Sequence, residues 1–253
     1  MAVGKMAIVI AIIILIIPII KSGILQFRSK DGERKMRENH KNGIILDADS
    51  DGSFVETDPL YLESVAYNER ICAEKQKALG KRGFEQIPVE LKHLETDKAY
   101  AFISIERLGL IFPVYIGASN DNLAKGLAVM GQTSLPIGMA NANSVIAGHR
   151  GYHSMPFLKD IDRMEVGDIL KVTNNWDTLM YTVEEIEIIE PDDLSSIYIR
   201  EGQDMITLLS CHPVHSGGKQ RYLVKCVRNT DLEIEEKASL KEKEQKHADK
   251  END

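Results

Sequence analysis

AFISIERLGLIFPVYI, from Ala101 to Ile116, decides the fold. Two short runs, Ala101–Ile105 and Ile111–Ile116, are rich in Ile, Phe, Val and Tyr, and a polar turn containing Gly109 separates them. Branched and aromatic residues suit a pleated, half-buried surface, so the stretch reads as two strands joined by a tight connection. The same kind of run recurs in both directions. Ser144–Ala147 ends at Gly148-His149-Arg150-Gly151. Asp168–Thr173 and Thr178–Ile189 flank the hairpin-like pair Asn174-Asn175, and Met205–Leu209 and Arg221–Val227 complete the series. Seven or eight short strands with turns between them and little helix predict an all-β barrel or sandwich rather than βαβ units. No internal repeat is visible, and no glycine-rich phosphate loop follows a strand.

The flanks differ in character. Apolar residues at Leu62, Val65, Ala66, Ile71, Ala78 and Leu79 recur at roughly helical spacing, which predicts a helical extension within residues 58–98. Residues 23–57 are polar, with Gly, Asp and Ser clustered at Asp47–Ser53, and read as a linker. Residues 231–253 carry nine acids and five lysines and no hydrophobic run, which predicts a charged C-terminal tail, solvated or a frayed helix, with no second anchor expected. At the other end Met6–Ile20 is free of charge and almost wholly aliphatic. No water-soluble domain needs such a run there. It is a little short of the roughly 20 residues that span a bilayer, unless Ala2–Gly4 extend it past Lys5. Lys21-Ser22-Gly23 offers no small-x-small cleavage pattern, so residues 1–22 read as a retained membrane anchor rather than a cleaved signal. Lys21, Arg28, Lys30, Arg34 and Lys35 follow the run and only Lys5 precedes it, a bias that by itself places the N-terminus outside.

Composition sets further limits. The 253 residues are 43% hydrophobic and 28% charged, enough for a sizeable core. A net charge of −8 argues against nucleic acid as a partner, because that binding rests on neutralising phosphates with Lys and Arg. Cys72, Cys211 and Cys226 cannot all pair within one chain, so a reactive thiol is worth seeking.

Three polar residues sit at or near the ends of β runs: His149, Cys211 and Arg221. Together they suit nucleophilic catalysis. A thiolate attacks, an imidazole moves protons, and a fixed cation stabilises the oxyanion. Arg fits the last role because its charge is permanent and its donors form a rigid fork. Taken singly, each has a blander reading: a packed thiol, a solvated imidazole, a surface guanidinium. A zinc set drawn from His149, His153, Cys211, His212 and His215 has suitable ligand types. However, Gly151 and Pro156 argue against the helix that would align His149 with His153, so neither a metal nor a cofactor is expected. A membrane-tethered β-domain with a buried Cys211 is the non-enzymatic alternative, and an exported cysteine protease is another.

The full string resembles the sortase family. Thr207-Leu208-Leu209-Ser210-Cys211, with Arg221 ten residues on, is similar to the family's active-site strand, Thr-Leu-x-Thr-Cys with a downstream Arg. Ser144–Gly151 resembles its histidine strand. Leu135-Pro136-Ile137-Gly138 and Phe157–Asp162 with Gly167-Asp168 resemble the pilus-building class C branch. The likeness covers about residues 99–228. It implies a closed eight-stranded β-barrel with short helices over 99–230, in a single-pass membrane protein whose catalytic domain is extracellular. It implies a cysteine transpeptidase that cleaves a Leu-Pro-x-Thr-Gly-like sorting signal between Thr and Gly and holds the product as a thioester. The thioester then passes to an amine, a pilin lysine in class C or a cell-wall precursor in class A. On this resemblance Cys211 is the nucleophile, His149 the acid/base partner and Arg221 the oxyanion or substrate clamp. Ser210 departs from the usual Thr but keeps the hydroxyl. Many class C enzymes carry a lid with Asp-Pro-aromatic over the cysteine. Here Asp58-Pro59-Leu60 is the lid candidate, although it precedes Tyr67-Asn68, where the reverse order is expected. Its other reading is a helix start, with Asp58 as cap and Pro59 in the first turn.

Overall fold

The computed structural model describes residues 2–46, 58–80, 83–151, 155–214 and 218–251. Within its first and last helices, side chains are described for 16–38, 230–239 and 242. Eight strands close into one barrel: β1 (Ala101–Ile105), β2 (Leu110–Ile116), β3 (Leu127–Val129), β4 (Ala142–Ala147), β5 (Ile169–Asn174), β6 (Thr178–Ile189), β7 (Asp204–His212) and β8 (Gln220–Arg228). Around the barrel the order is β1-β2-β3-β4-β7-β8-β6-β5, so β1 and β7 lie four strands apart in either direction. The pairs β2–β3 and β4–β7 are parallel and the rest antiparallel. Consequently β1, β4, β6 and β7 all run towards the same end of the barrel.

Period-two alternation fills the interior. Ile103 and Ile105 of β1, Phe112 and Val114 of β2, and Ile206 and Leu208 of β7 are wholly buried in the main core. On the outer face of β4, β7 and β8 a second cluster forms, with Val145 and Leu223 buried and Ala147 and Leu209 packed against them. Both faces of these strands are therefore covered, which explains why Met205–Leu209 reads as a near-continuous apolar run rather than an alternating one. The seven or eight strands predicted are eight. The one the sequence does not announce is β3, only three residues long and just after the short helix α3 (Asn120–Lys125).

Four departures from the sequence reading stand out. Residues 23–46 are not a polar linker but the continuation of one helix, α1 (Ala2–Leu46). Ion pairs along its surface, Arg34 to Asp31 at 2.6 Å and to Glu38 at 2.9 Å and Lys35 to Asp31 at 2.8 Å, are spaced to support a helix. The helix then lies against the barrel: Gln26 Oε1 accepts from the Ile111 amide at 2.8 Å, and Glu33 Oε1 from the Thr173 hydroxyl at 3.3 Å. Second, α1 runs unbroken across the boundary predicted at residue 22 between anchor and linker, while residues 47–57 of the predicted linker lie outside the described residues. Third, the tail from 231 is helical, as one form of the expectation had it, but it is not wholly solvated. It forms α4 (Thr230–Glu251), whose Glu233 is buried against the barrel.

The fourth concerns the lid. Helix α2 (Pro59–Ala73) begins at Asp58, whose carboxylate accepts from the amides of Leu60 at 2.8 Å and Tyr61 at 3.1 Å. Proline in the first turn gives up no intrahelical bond, so Asp58-Pro59 is a helix start by local physics. Asp58 and Leu60 line a cavity with Tyr100 and Asn175, beside the β1–β5 pair and hence on the side of the barrel away from β7. Asp58, Pro59 and Leu60 therefore do not cover Cys211. The membrane-anchor expectation falls on side chains that are largely outside the described ones. Among the described residues, no helix is long and apolar enough to cross a membrane.

Candidate active site at the ends of β4, β7 and β8

Strand register brings the three predicted site residues to one end of the barrel. Cys211 on β7 sits directly opposite Arg221 on β8. Cross-strand partners project to the same face, so thiol and guanidinium emerge together. On the other flank β4 runs parallel to β7 with Ala147 level with Leu209, and His149 and Cys211 each lie two residues further on. The Gly148 amide donates to the Leu209 carbonyl at 3.0 Å, and the Ser210 hydroxyl donates to the Gly148 carbonyl at 2.8 Å, so the two strand exits are bonded to one another. This bond accounts for a hydroxyl residue just before the cysteine. His149, Cys211 and Arg221 are each half-buried.

Gly218 closes the rim of the site. A methyl carbon placed on it would lie 3.0 Å from Arg221 Nη1 and 3.3 Å from Cys211 Sγ, so sulfur and guanidinium flank the same point. With φ at +81, a side chain at Gly218 would be strained in its backbone as well as crowded. Arg221 Nη1 donates to the carbonyls of Gly218 at 2.7 Å and Gln220 at 3.1 Å, which holds the fork over the loop that follows Cys211.

A groove of about 210 Å³ leads up to the site. Its floor is Ala147 of β4 and Leu209 of β7, its wall is Ile197 and Leu194 of the β6–β7 connection, and Arg221 stands at its end. Leu209 and Cys211 share a face of β7 because they are two residues apart, so the groove opens towards the thiol. The β6–β7 connection is held in place by buried polar contacts. The Asn143 side chain donates to the Ile197 carbonyl at 3.1 Å, and Gln76 accepts from the Ile199 amide at 2.7 Å. Lys225, buried under the same connection, reaches Glu187 at 2.7 Å and Glu185 at 3.3 Å. Arg200, ahead of Glu187 and Lys225, holds the Glu185 carboxyl down at about 2.

Two residues at this site escape sequence reading. Arg150 is one: its side chain is 3% exposed. It donates from Nε to the Lys159 carbonyl at 2.8 Å, pairs with Asp162 at 2.8 Å, lies 5.4 Å from the Tyr222 ring centroid, and reaches the Cys211 carbonyl at 3.5 Å. It thus ties the loop that carries His149 to the strands that carry Cys211 and Arg221. Adjacency to His149 is the only sequence signal, and burial of an arginine is not readable locally. Phe84 is the other. Its ring lines the groove with Ala118, Met130 and Arg221, and its carbonyl accepts from the amides of Ala118 at 2.7 Å and Gly131 at 2.9 Å. A Cβ on Gly131 would meet the Gly83 carbonyl at 2.0 Å, so only glycine lets this segment pass. Phe84 follows Tyr67-Asn68, the order expected of a lid.

The metal reading gains no support from geometry. His212 packs its ring 5.7 Å from that of Tyr222, while His153 and His215 lie outside the described residues. Among the described residues, no three His, Cys, Asp or Glu side chains converge.

Comparison with known proteins agrees with this architecture. A family model for the sortase domain matches residues 103–229. Sortase D of Bacillus subtilis (strain 168) is 24% identical over 132 residues, 51% of this chain and 64% of that relative. The chain thus spans a little under two thirds of that relative's length. Among solved structures, sortase C1 of GBS pilus island 1 is 25% identical with a TM-score of 0.63, covering 76% of this chain and 98% of that one. Clostridium perfringens sortase C, solved with the C-terminal cell wall sorting motif, is 30% identical with a TM-score of 0.60, covering 69% and 89%. With half of the chain matched by the family model and eight strands closed into a barrel that carries the paired cysteine and arginine at one end, this protein belongs to the sortase family.

Proposed function

We propose that this protein is a cysteine transpeptidase of the class C, pilus-building type. The observation that carries the reading is the shared end of β4, β7 and β8, where Cys211 faces Arg221 and His149 follows in parallel register beside an apolar groove. The Cys211 thiolate attacks the Thr carbonyl of a Leu-Pro-x-Thr-Gly-like signal. Arg221 stabilises the oxyanion, and the departing glycine amine takes a proton from His149. A pilin lysine, deprotonated by His149, then attacks the thioester and releases the thiolate. The groove suits an extended peptide with an apolar first residue, since Ala147, Leu209, Ile197 and Leu194 line it.

Phe84 and its neighbours are proposed as the lid, in place of Asp58-Pro59-Leu60, because Phe84 occupies the groove that a peptide would use. The charge-free run Met6–Ile20 is proposed to anchor the chain in the cell membrane as a single pass, with the barrel outside the cell. Incubation with a Leu-Pro-x-Thr-Gly peptide followed by intact mass should yield an adduct on Cys211, absent in Cys211→Ala. Addition of a lysine-bearing acceptor should convert it to a ligated product. Cleavage at one rate with or without the amine would make the protein a protease instead.

A further inference from the structure

We infer that the barrel stands on the lipid surface with its Cys211 end facing the membrane, held there by α1 as a rigid strut. The inference rests on the proposed anchoring of Met6–Ile20 and adds a direction to it. Gln26 of α1 bonds to Ile111, which pairs with Ser104 late in β1. Six residues on, Gly32 lies against the ring of Phe102, nearer the start of β1. Further on, Met36 lines a cavity with Tyr100, the residue before the strand. Helix α1 therefore runs antiparallel to β1. Strand β1 points the same way as β7, since two of the four pairings between them are parallel and two antiparallel. The N-terminal part of α1 thus projects beyond the end of the barrel where β7 delivers Cys211.

Burial along α1 changes at the same place. Ser29, Glu33 and Met36 are covered by the barrel, whereas Ile17, Ile19 and Ile20 are 45%, 71% and 53% exposed. An isoleucine run left in water is a surface without an occupant, and an acyl-chain layer is the occupant that continues a charge-free run back to Met6. Ile20 to Gln26 is about 9 Å of helix at 1.5 Å per residue. The first barrel contact therefore lies close beneath the headgroups. Pro18 can tilt the apolar part but not reverse it. The groove entrance accordingly opens towards lipid, and the polypeptide it accepts is one presented at the membrane surface.

The test uses the full chain in vesicles containing headgroup spin-labelled lipid, in a Cys72→Ser, Cys211→Ala background; Cys226 is buried. A fluorophore is placed at Gln220→Cys, which pairs with His212 at the proposed lipid-facing end, or at Lys98→Cys, beside Met36 and Tyr100 at the other. Quenching several-fold stronger at 220 than at 98 is expected. Equal quenching, or the reverse order in protein that floats with vesicles, overturns the orientation while leaving the anchor intact. Failure to float overturns the anchor, and the orientation with it. Loosening the strut with Gln26→Ala and Glu33→Ala should narrow the difference between the two labels, and an unchanged difference would also overturn it.

Discussion

Cys211 gains its chemical setting from partners that are remote in the chain. Arg221 is placed by β8 pairing, and its Nη1 is fixed by the carbonyls of Gly218 and Gln220. A lysine there keeps the charge but has one nitrogen, so it cannot bond those carbonyls and still turn further fixed donors towards an oxyanion. Arg221→Lys should therefore lose nearly as much kcat/KM on a sorting-signal peptide as Arg221→Ala, on the order of 10²–10³-fold for loss of an oxyanion donor. Full activity in Arg221→Lys would remove the clamp role. Arg150 acts differently, through position. Its partners come from the turn at Lys159–Asp162, from β7 and from the Tyr222 ring. Arg150→Ala should lower stability by about 1.5–3 kcal/mol, the range for hydrogen bonds to charged groups. It should also depress kcat more than it raises KM, because His149 is no longer tied to the cysteine strand. Urea unfolding and steady-state kinetics on the same preparation separate the two effects.

The segment that follows α2 is fastened beside the groove through its backbone, and its proposed lid role is tested at Phe84. The carbonyl of Phe84 takes two amides, from Ala118 and Gly131, and Gln76 takes the Ile199 amide of the β6–β7 connection. Phe84→Ala should raise the rate at which a methanethiosulfonate reagent labels Cys211 several-fold, with the fold unchanged by circular dichroism. An unchanged rate would show that the ring does not limit access. At the start of α2 the opposite outcome is expected: Asp58→Ala should cost about 1 kcal/mol in urea unfolding, as loss of a helix cap does, and leave Cys211 labelling as it was.

The barrel end remote from the site is closed by a buried charge network that fastens α4. Arg228 pairs with Glu233 at 3.0 Å and with Asp204 at 3.5 Å and donates to the Gly138 carbonyl at 2.6 Å; the Tyr181 hydroxyl donates to Asp204 at 3.2 Å. Burial pushes the Asp204 carboxyl up to about 7, against the pull of Arg228 and of the Tyr181 hydroxyl and with Glu233 adding to the rise. The folded state therefore holds a proton that the unfolded chain releases near pH 4. The stabilising contribution is complete below the unfolded value and is lost as pH rises through the window from about 4 to about 7. Asp204→Asn should flatten this dependence, so that the variant matches the parent near pH 5 and exceeds it at pH 8 in urea unfolding. A parent whose stability rises with pH across that window would contradict the assignment.

What the sequence determined by itself is local. Strand type, the helix start at Asp58-Pro59 and the run Met6–Ile20 follow from neighbours within a few residues, and so does a cysteine, a histidine and an arginine at strand ends. Even β6, twelve residues long with a bulge at Val183–Glu185, is legible in Thr178–Ile189 as a β run. Tertiary structure decided everything that depends on strand order. Parallel pairing of β4 with β7 cannot be read from either strand, yet it alone puts His149 level with Cys211. Residues 23–46 are polar enough for a linker and become helix because one face meets the barrel, where Gln26 and Glu33 find partners 85 and 140 residues away. Phe84 and Arg150 acquire their places in the same way, from surfaces assembled only once the barrel closes. Short-range patterning reports periodicity and capping, whereas a site built from distant segments exists only after their registers are set.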